Sequence, residues 1–481
     1  MRSDCVFAGR CALHIVLLIG GLQVSLPVYG QQIVGVPGNT LGAQSPLRAG
    51  SSQRPFRGLF GPRKTSRPVT QQLDLTASLF GLRNQLVNGL GSTGNSPFQN
   101  SWNAVGGNTL LRYSAVLPSV SLSAFGATAA HYYVAYRSPL QMSYSGGVGA
   151  TTYVGKGKRT TVGGSQTVSY VPFFGYYPYT GLLPNQPAEI PVSVPNNHYA
   201  AGPGTSLALD TNVRISHTLG RRTSASAYYS LNRTTYSTNP DFVWQTLGVS
   251  YHHGLTRNSS LRLGYAYRDG LGVASGGGGV WAPGALDNHT IDVGVDYARS
   301  LSPWRRTTIA FGTGSTLARR LNDVPDVVTG SQAPMSLYVT GFVAVNREVG
   351  RTWNVRGTYN RFMSYVPGFN APFFSDAVSV GTGGTVGRRV TMVGQFSGSR
   401  GSVGLAPRGT SAQTYGNQFW AYTATAQAQY ALSRHWAAFA SYAYYNYLFG
   451  PVVTLPVGLP GRSGRQSIYG GLTMWLPIFS R

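Results

Sequence analysis

The sequence predicts an all-β fold, a transmembrane antiparallel up-and-down β-barrel of about eighteen strands, and three observations predict it. First, segments of strand length alternate with a two-residue period. In AYTATAQAQYAL (421–432), Tyr422, Ala424, Ala426, Ala428, Tyr430 and Leu432 fall on one face, with Thr423, Thr425, Gln427 and Gln429 on the other. Second, charged residues are only 11% of the 481, while Gly (63) and Tyr (30) are heavily used; a disordered chain would lack so many aromatics. Third, beyond the N-terminus no stretch reaches the ~18 continuous apolar residues that a spanning helix needs. A greasy strand face must be covered, and strands are the remaining way for this chain to meet lipid.

The elements follow in order. Arg2 and Arg10 precede an apolar run, CALHIVLLIGGLQVSL, and the small residues Val28 and Gly30 precede Gln31. Residues 1–30 therefore read as a secretory signal cleaved after Gly30, with an uncleaved anchor as the alternative. Both cysteines, Cys5 and Cys11, leave with that segment, so disulfides, thiolate metal sites and cysteine nucleophiles are not expected in the exported chain. Residues 31–71 are rich in Pro, Gly, Ser, Gln and Arg without a sustained period. They read as a flexible basic arm, or alternatively as a small plug in a pore.

From residue 72 to 481 the chain repeats one hairpin plan, a strand, a tight turn carrying Arg, and a second strand. VRISHTLGRRTSASAYY (213–229), VAVNREVGRTWNVRGTY (343–359) and VGTGGTVGRRVTMVGQF (380–396) show it well. Earlier copies turn at Leu117-Pro118 and at GKGKR (155–159). Connections at the Arg end are short, whereas those at the other end, such as 171–204, 270–287 and 448–464, are long and rich in Gly, Pro, Asn and Tyr. Short turns on one side and long loops on the other fit a barrel with its turns on the periplasmic side. Eight turns join about sixteen strands; an opening strand at Leu73–Phe80 and a closing one at Gln466–Leu476 raise the count to about eighteen, with sixteen as the fallback.

The formal charge of +25 invites a nucleic-acid reading, but the location of the charge argues against it. Two basic residues lie in the leader and six in the arm, and many of the rest sit at short turns, among them Arg221, Arg222, Arg257, Arg305, Arg306, Arg351, Arg388, Arg389 and Arg434. Trp304, Trp353 and Trp436 stand beside them, a periplasmic-interface girdle in which indole meets the headgroup layer and guanidinium meets phosphate. With the greasier register facing lipid, Asp210, Asn212, Arg214 and Ser216 line the inner face of one strand. Arg262 and Arg268 line another, followed by Asp292 and Asp296, then Asn354, Arg356 and Thr358, and finally Gln427 and Gln429. Val213, Ile215, Leu261, Leu263, Tyr265, Ile291, Val293, Val295 and Trp353 face outward. A charge held against lipid costs about 2–4 kcal/mol near the midplane, which fixes the register. Sixteen to eighteen strands close around a watery channel rather than a packed core. Selectivity candidates are therefore Arg214, Arg262, Arg268 and Arg356 facing Asp210, Asp292 and Asp296, with the arginine surplus favouring anions.

The Arg-turn hairpins, the Gly/Tyr-rich strand QMSYSGGVGATTYV (141–154) and the ending GRQSIYGGLTMWLPIFSR resemble bacterial outer-membrane β-barrels, in particular porin-like barrels associated with surface-polysaccharide systems. The likeness covers about Leu73 to Arg481 and is one of pattern. It implies residence in the bacterial outer membrane and partners in outer-membrane lipid, lipopolysaccharide and the barrel-assembly machinery. One departure is that Phe479 is followed by Ser480 and Arg481, where such proteins commonly end in an aromatic that the assembly machinery reads.

No HExxH, GxSxG or phosphate-loop lysine motif occurs, so no enzyme, cofactor or metal is expected. GTGGTVG (381–387) falls in a strand with no helix to hold phosphate, and His252 and His253 point to opposite faces. Asp323 and Asp326 read as a solvated loop before a calcium site, and nothing in the spacing of His131, Ser138 and Asp376 supports a catalytic set. Three functions stay open: a channel for small polar or anionic solutes, an export conduit for an anionic exopolysaccharide, and a surface adhesin or structural barrel with a blocked lumen.

Overall fold

A computed structural model describes residues 70–89, 102–134, 140–155, 157, 159–172, 205–236, 241–273, 286–300, 307–320, 336–350, 352–364, 373–403, 417–451, 453 and 461–480. The leader, almost all of the arm, most of the 171–204 loop, Ser138, Trp304, Arg305, Arg306, Asp323, Asp326 and Arg351 lie outside these residues.

Eighteen strands form one sheet. The first nine are β1 (Gln71–Gly89), β2 (Trp102–Val116), β3 (Val120–Tyr133), β4 (Leu140–Val154), β5 (Thr160–Pro172), β6 (Thr205–Gly220), β7 (Thr223–Tyr236), β8 (Asp241–Gly254) and β9 (Ser259–Val273). The rest are β10 (Leu286–Ser300), β11 (Thr307–Arg320), β12 (Ser336–Val349), β13 (Trp353–Ser364), β14 (Phe373–Val386), β15 (Val390–Val403), β16 (Gln418–Ala431), β17 (Trp436–Phe449) and β18 (Arg462–Ser480). Each pairs antiparallel with its chain neighbours, and β1 pairs with both β2 and β18, from Gln72–Ser480 to Gly89–Ser463 along the closing seam. The sheet is a closed up-and-down barrel, and closure leaves no edge strand with unpaired backbone groups.

Seven of the eight Arg-end turns fall between strands where the sequence places them, and the eighth, at 301–306, lies outside the described residues. Gly350 (φ +64°) and Gly387 (φ +63°) explain the Gly-Arg signature, because each tight turn passes through the left-handed region that only glycine enters without strain. Two expectations are corrected. The opening and closing strands are nineteen residues each, far longer than the apolar cores 73–80 and 466–476, because backbone pairing across the seam runs on from Gln72–Ser480 to Gly89–Ser463. The far-end connections are not uniformly long: only four residues, 237–240, separate β7 from β8.

Candidate functional site: the inner wall

Cross-strand register assigns every side chain to one of two faces. Val213, Ile215, Leu263, Tyr265, Ile291, Val293 and Val295 are exposed on the outside, Val293 to 57% and Val339 to 66%. Their strand neighbours point inward: Asn212 pairs with Ser230, Asp210 with Thr167 and Asn232, and Thr358 with Ser379. Inward hydroxyls satisfy one another across strands, with Thr358 Oγ1 and Ser379 Oγ 2.6 Å apart, Ser397 Oγ and Thr423 Oγ1 2.6 Å apart, and Ser226 Oγ and Ser250 Oγ 2.8 Å apart. A soluble sheet would reverse this arrangement. Here the apolar face is the one left uncovered.

The charged centre of the inner wall lies on β9–β11. Arg262 is 1% exposed, and its guanidinium makes a forked contact with Asp292, with Nε donating to Oδ2 and Nη2 to Oδ1 at 3.1 Å. Nη1 donates to Asp296, and Nη2 also reaches the backbone carbonyl of Thr313 at 2.7 Å. That carbonyl is available because the β10–β11 ladder opens. His289 pairs with Leu317 and Tyr297 with Phe311, and no backbone pair joins the strands between. On the same stretch Ser315 Oγ donates to the Ile291 carbonyl at 2.9 Å. Side chains thus replace the missing ladder bonds.

Glycines make room for this cluster. A Cβ on Gly294 would stand 1.9 Å from the Thr313 carbonyl oxygen and 3.1 Å from Arg262 Nη2; one on Gly314 would stand 2.8 Å from Asp292 Oδ1, and one on Gly312 2.5 Å from Asp296 Oδ1. Nearby, the Tyr228 ring lies over Gly248 and interacts electrostatically with Arg268, Asp292 and Arg214.

On β14–β17 the inner wall is aromatic near one end. Phe373, Phe419, Phe449, Tyr445 and Tyr447 cluster with Val403, Ala421 and Ala443 near the long-connection end. Phe373 and Phe419 meet edge to face with ring centroids 4.9 Å apart. Val453, beyond β17, packs against them. The expectation of a watery interior is therefore corrected at one place: the inward side chains at the long-connection ends of β14, β16 and β17 are rings, with Phe374, Trp420 and Leu448 on the outer face beside them. Alternation reads the relative polarity of two faces, so rings on both sides escape it.

The apolar outside and polar inside settle the setting, since hydrocarbon is the second layer that covers an exposed belt of this kind. The chain folds as a closed transmembrane β-barrel. The sequence matches no family model, and no curated protein matches it. Among solved structures, this barrel is similar to OccK2 (OpdF) of Pseudomonas aeruginosa, solved in complex with glucuronate, at 9% identity and a TM-score of 0.42, over 85% of this chain and 98% of that one. OccAB4 of Acinetobacter baumannii gives 9% and 0.41 over 85% and 98%, and OprD of Pseudomonas aeruginosa 10% and 0.40 over 85% and 96%. At such identities the likeness concerns the fold alone.

The barrel places the predicted lumen residues on its inner wall. Asp210 accepts a bond from Asn232 of β7; Arg214 is exposed on β6, Arg268 is buried on β9, and Arg356 is half-buried on β13 beside Gly381. Arg262, Asp292 and Asp296 come together, whereas Arg356 stands apart on the other side of β11 and β12. Trp353 and Trp436 face outward at the short-turn end, as a girdle requires. Sequence reasoning missed the inward Asp74–Arg112 register pair, Glu348, Arg465 and the aromatic cluster. Asp74 and Arg112 were recoverable, since each falls on the polar face of a strand near its short-turn end. Among the described residues no group of three or more His, Asp or Glu is placed to hold a metal ion.

Proposed function

We propose that the barrel is a porin-like, weakly selective channel for small polar or anionic solutes. One observation carries this reading: eighteen strands close around inner faces that bear hydroxyl, amide and charged groups, the surface a water-filled passage needs. On the strands, inward Arg112, Arg214, Arg262, Arg268, Arg356 and Arg465 oppose Asp74, Asp210, Asp292, Asp296 and Glu348, a near balance that calls for weak discrimination. Arg262 is engaged by two carboxylates, so the anion preference falls to the other arginines, of which Arg112 and Arg214 are exposed. Planar-bilayer recording of the purified barrel tests this. Discrete conductance steps with a small anion-side reversal potential in a KCl gradient are expected, and Arg214→Glu with Arg356→Glu should lower the anion-to-cation permeability ratio on the order of twofold. Cation preference in the unaltered barrel would remove the role of the arginines. Absence of conductance would remove the channel and leave the blocked barrel standing.

A further inference from the structure

The outer wall carries a feature that the channel does not use. Direct register pairs run in one line across β13–β18: Arg361 with Asp376, Asp376 with Arg400, Arg400 with Trp420, Trp420 with Leu448, and Leu448 with Arg462. All of these side chains face outward. Arg361 and Asp376 are 46% and 45% exposed and 3.8 Å apart, and Arg400 and Arg462 are exposed as well. Two of the arginines lie on rings, Arg361 over Phe374 at 5.0 Å and Arg400 over Trp420 at 4.4 Å, and Tyr359 donates to Asp376 at 2.6 Å. A cation stacked on an aromatic face is held flat while its edge N–H groups stay available to an acceptor.

The height of the row identifies the acceptor. Val386, at the short-turn end, lies ten positions along β14 from Asp376. At about 3.3 Å per residue and the usual barrel tilt, that distance is about 25 Å along the membrane normal, the height of a barrel's apolar band. Val378, Val380, Met392 and Phe396 occupy the wall below the row, all exposed. The arginines therefore stand where hydrocarbon ends and the headgroups of the far leaflet begin. Three cations against one carboxylate along a single line give the site a positive balance.

We infer that this row is a docking site for the phosphorylated headgroup of a membrane lipid, seated between Arg361 and Arg400, with its acyl chains running down over Val378, Val380 and Phe396. Forked guanidinium donors suit a phosphate, and the aromatic rings hold them ready. The site is independent of whether the lumen conducts.

The test is lipid binding to the detergent-solubilised barrel by native mass spectrometry, with dioleoyl phosphatidate, dioleoyl phosphatidylcholine and inorganic phosphate as probes. Phosphatidate should bind at least several-fold more tightly than phosphatidylcholine. Arg361→Gln with Arg400→Gln should weaken phosphatidate about tenfold while heat-modifiable gel mobility stays unchanged. Asp376→Asn removes the carboxylate between the two cations and should tighten phosphatidate several-fold, a gain that damaged folding does not produce. Unchanged affinity in the double variant, or unchanged or weakened affinity in Asp376→Asn, overturns the assignment. Equal binding of inorganic phosphate and phosphatidate overturns the lipid as occupant.

Discussion

Arg262→Gln tests how the middle of the barrel holds together. The change removes a guanidinium that bonds Asp292, Asp296 and the Thr313 carbonyl. It leaves two carboxylates on one strand without their cation, and Asp292 is itself 1% exposed. Breaking a buried pair by removing one partner costs about 3–5 kcal/mol, most of it from the charge left behind. The Thr313 carbonyl also loses a donor in the stretch where the β10–β11 ladder is open, a further loss that overlaps with the first. The expected total is therefore about 3–5 kcal/mol, read as a lower urea midpoint for the refolded barrel by tryptophan fluorescence, with a matching loss of heat-modifiable mobility. Combining Arg262→Gln with Asp292→Asn removes the stranded charge and should recover about 2 kcal/mol. A midpoint within about 0.5 kcal/mol of the unaltered protein, or a double variant no better than the single one, would refute the view that the cluster fastens this seam.

Face assignment is checked by cysteine labelling in vesicles: Val293→Cys should react only with a lipid-soluble maleimide and Asn212→Cys with a water-soluble one, and the reverse pattern would invert the barrel. Gly294→Ala should cost about 1–3 kcal/mol in the same urea assay, because its methyl group would meet the Thr313 carbonyl oxygen at 1.9 Å and β11 would have to move. Phe419→Ala, which removes the ring at the middle of the inner aromatic cluster, should cost about 3–5 kcal/mol, and a change under about 1 kcal/mol would show that the cluster collapses around the gap.

The fold was legible because a closed membrane barrel writes itself in a simple code. Each strand must show one face to hydrocarbon, so Val213 and Ile215 alternate with Asn212 and Arg214, and each short turn must reverse the chain within a few residues, so Gly350 and Gly387 precede an arginine. Those two constraints are local, and local constraints survive in a single sequence. The inner wall was legible residue by residue but not as a site. Arg262, Asp292 and Asp296 fall on the inner face by period alone, yet their meeting depends on Arg262 reaching across β10 to a carbonyl of β11, which no alternation encodes. The readable trace of that meeting was glycine. Gly264, Gly294, Gly312 and Gly314 all occupy inward positions on three consecutive strands, where a watery wall gains nothing from missing side chains. A run of absent side chains on the wet face of neighbouring strands marks something large lying flat above it.

The same reasoning separates the two arcs of the wall by what they can do. On β9–β11 the charges are tied down against glycine, so they stiffen the cylinder more than they steer a solute, whereas Arg214 and Arg356 stand outside that cluster. On β14–β17 the inner rings pack on one another near the far end, while the outer faces of β13–β16 at about that height carry the line from Arg361 to Trp420. A wall packed with rings inside gives the outer arginines a firm base, since strands that are held on one face cannot easily shift the other. Phe419→Ala therefore has a second expected outcome. Loosening the inner cluster should weaken phosphatidate binding at the outer row by about twofold even though Phe419 touches no lipid, and unchanged lipid affinity in a variant that loses stability would show that the two faces of this wall act independently.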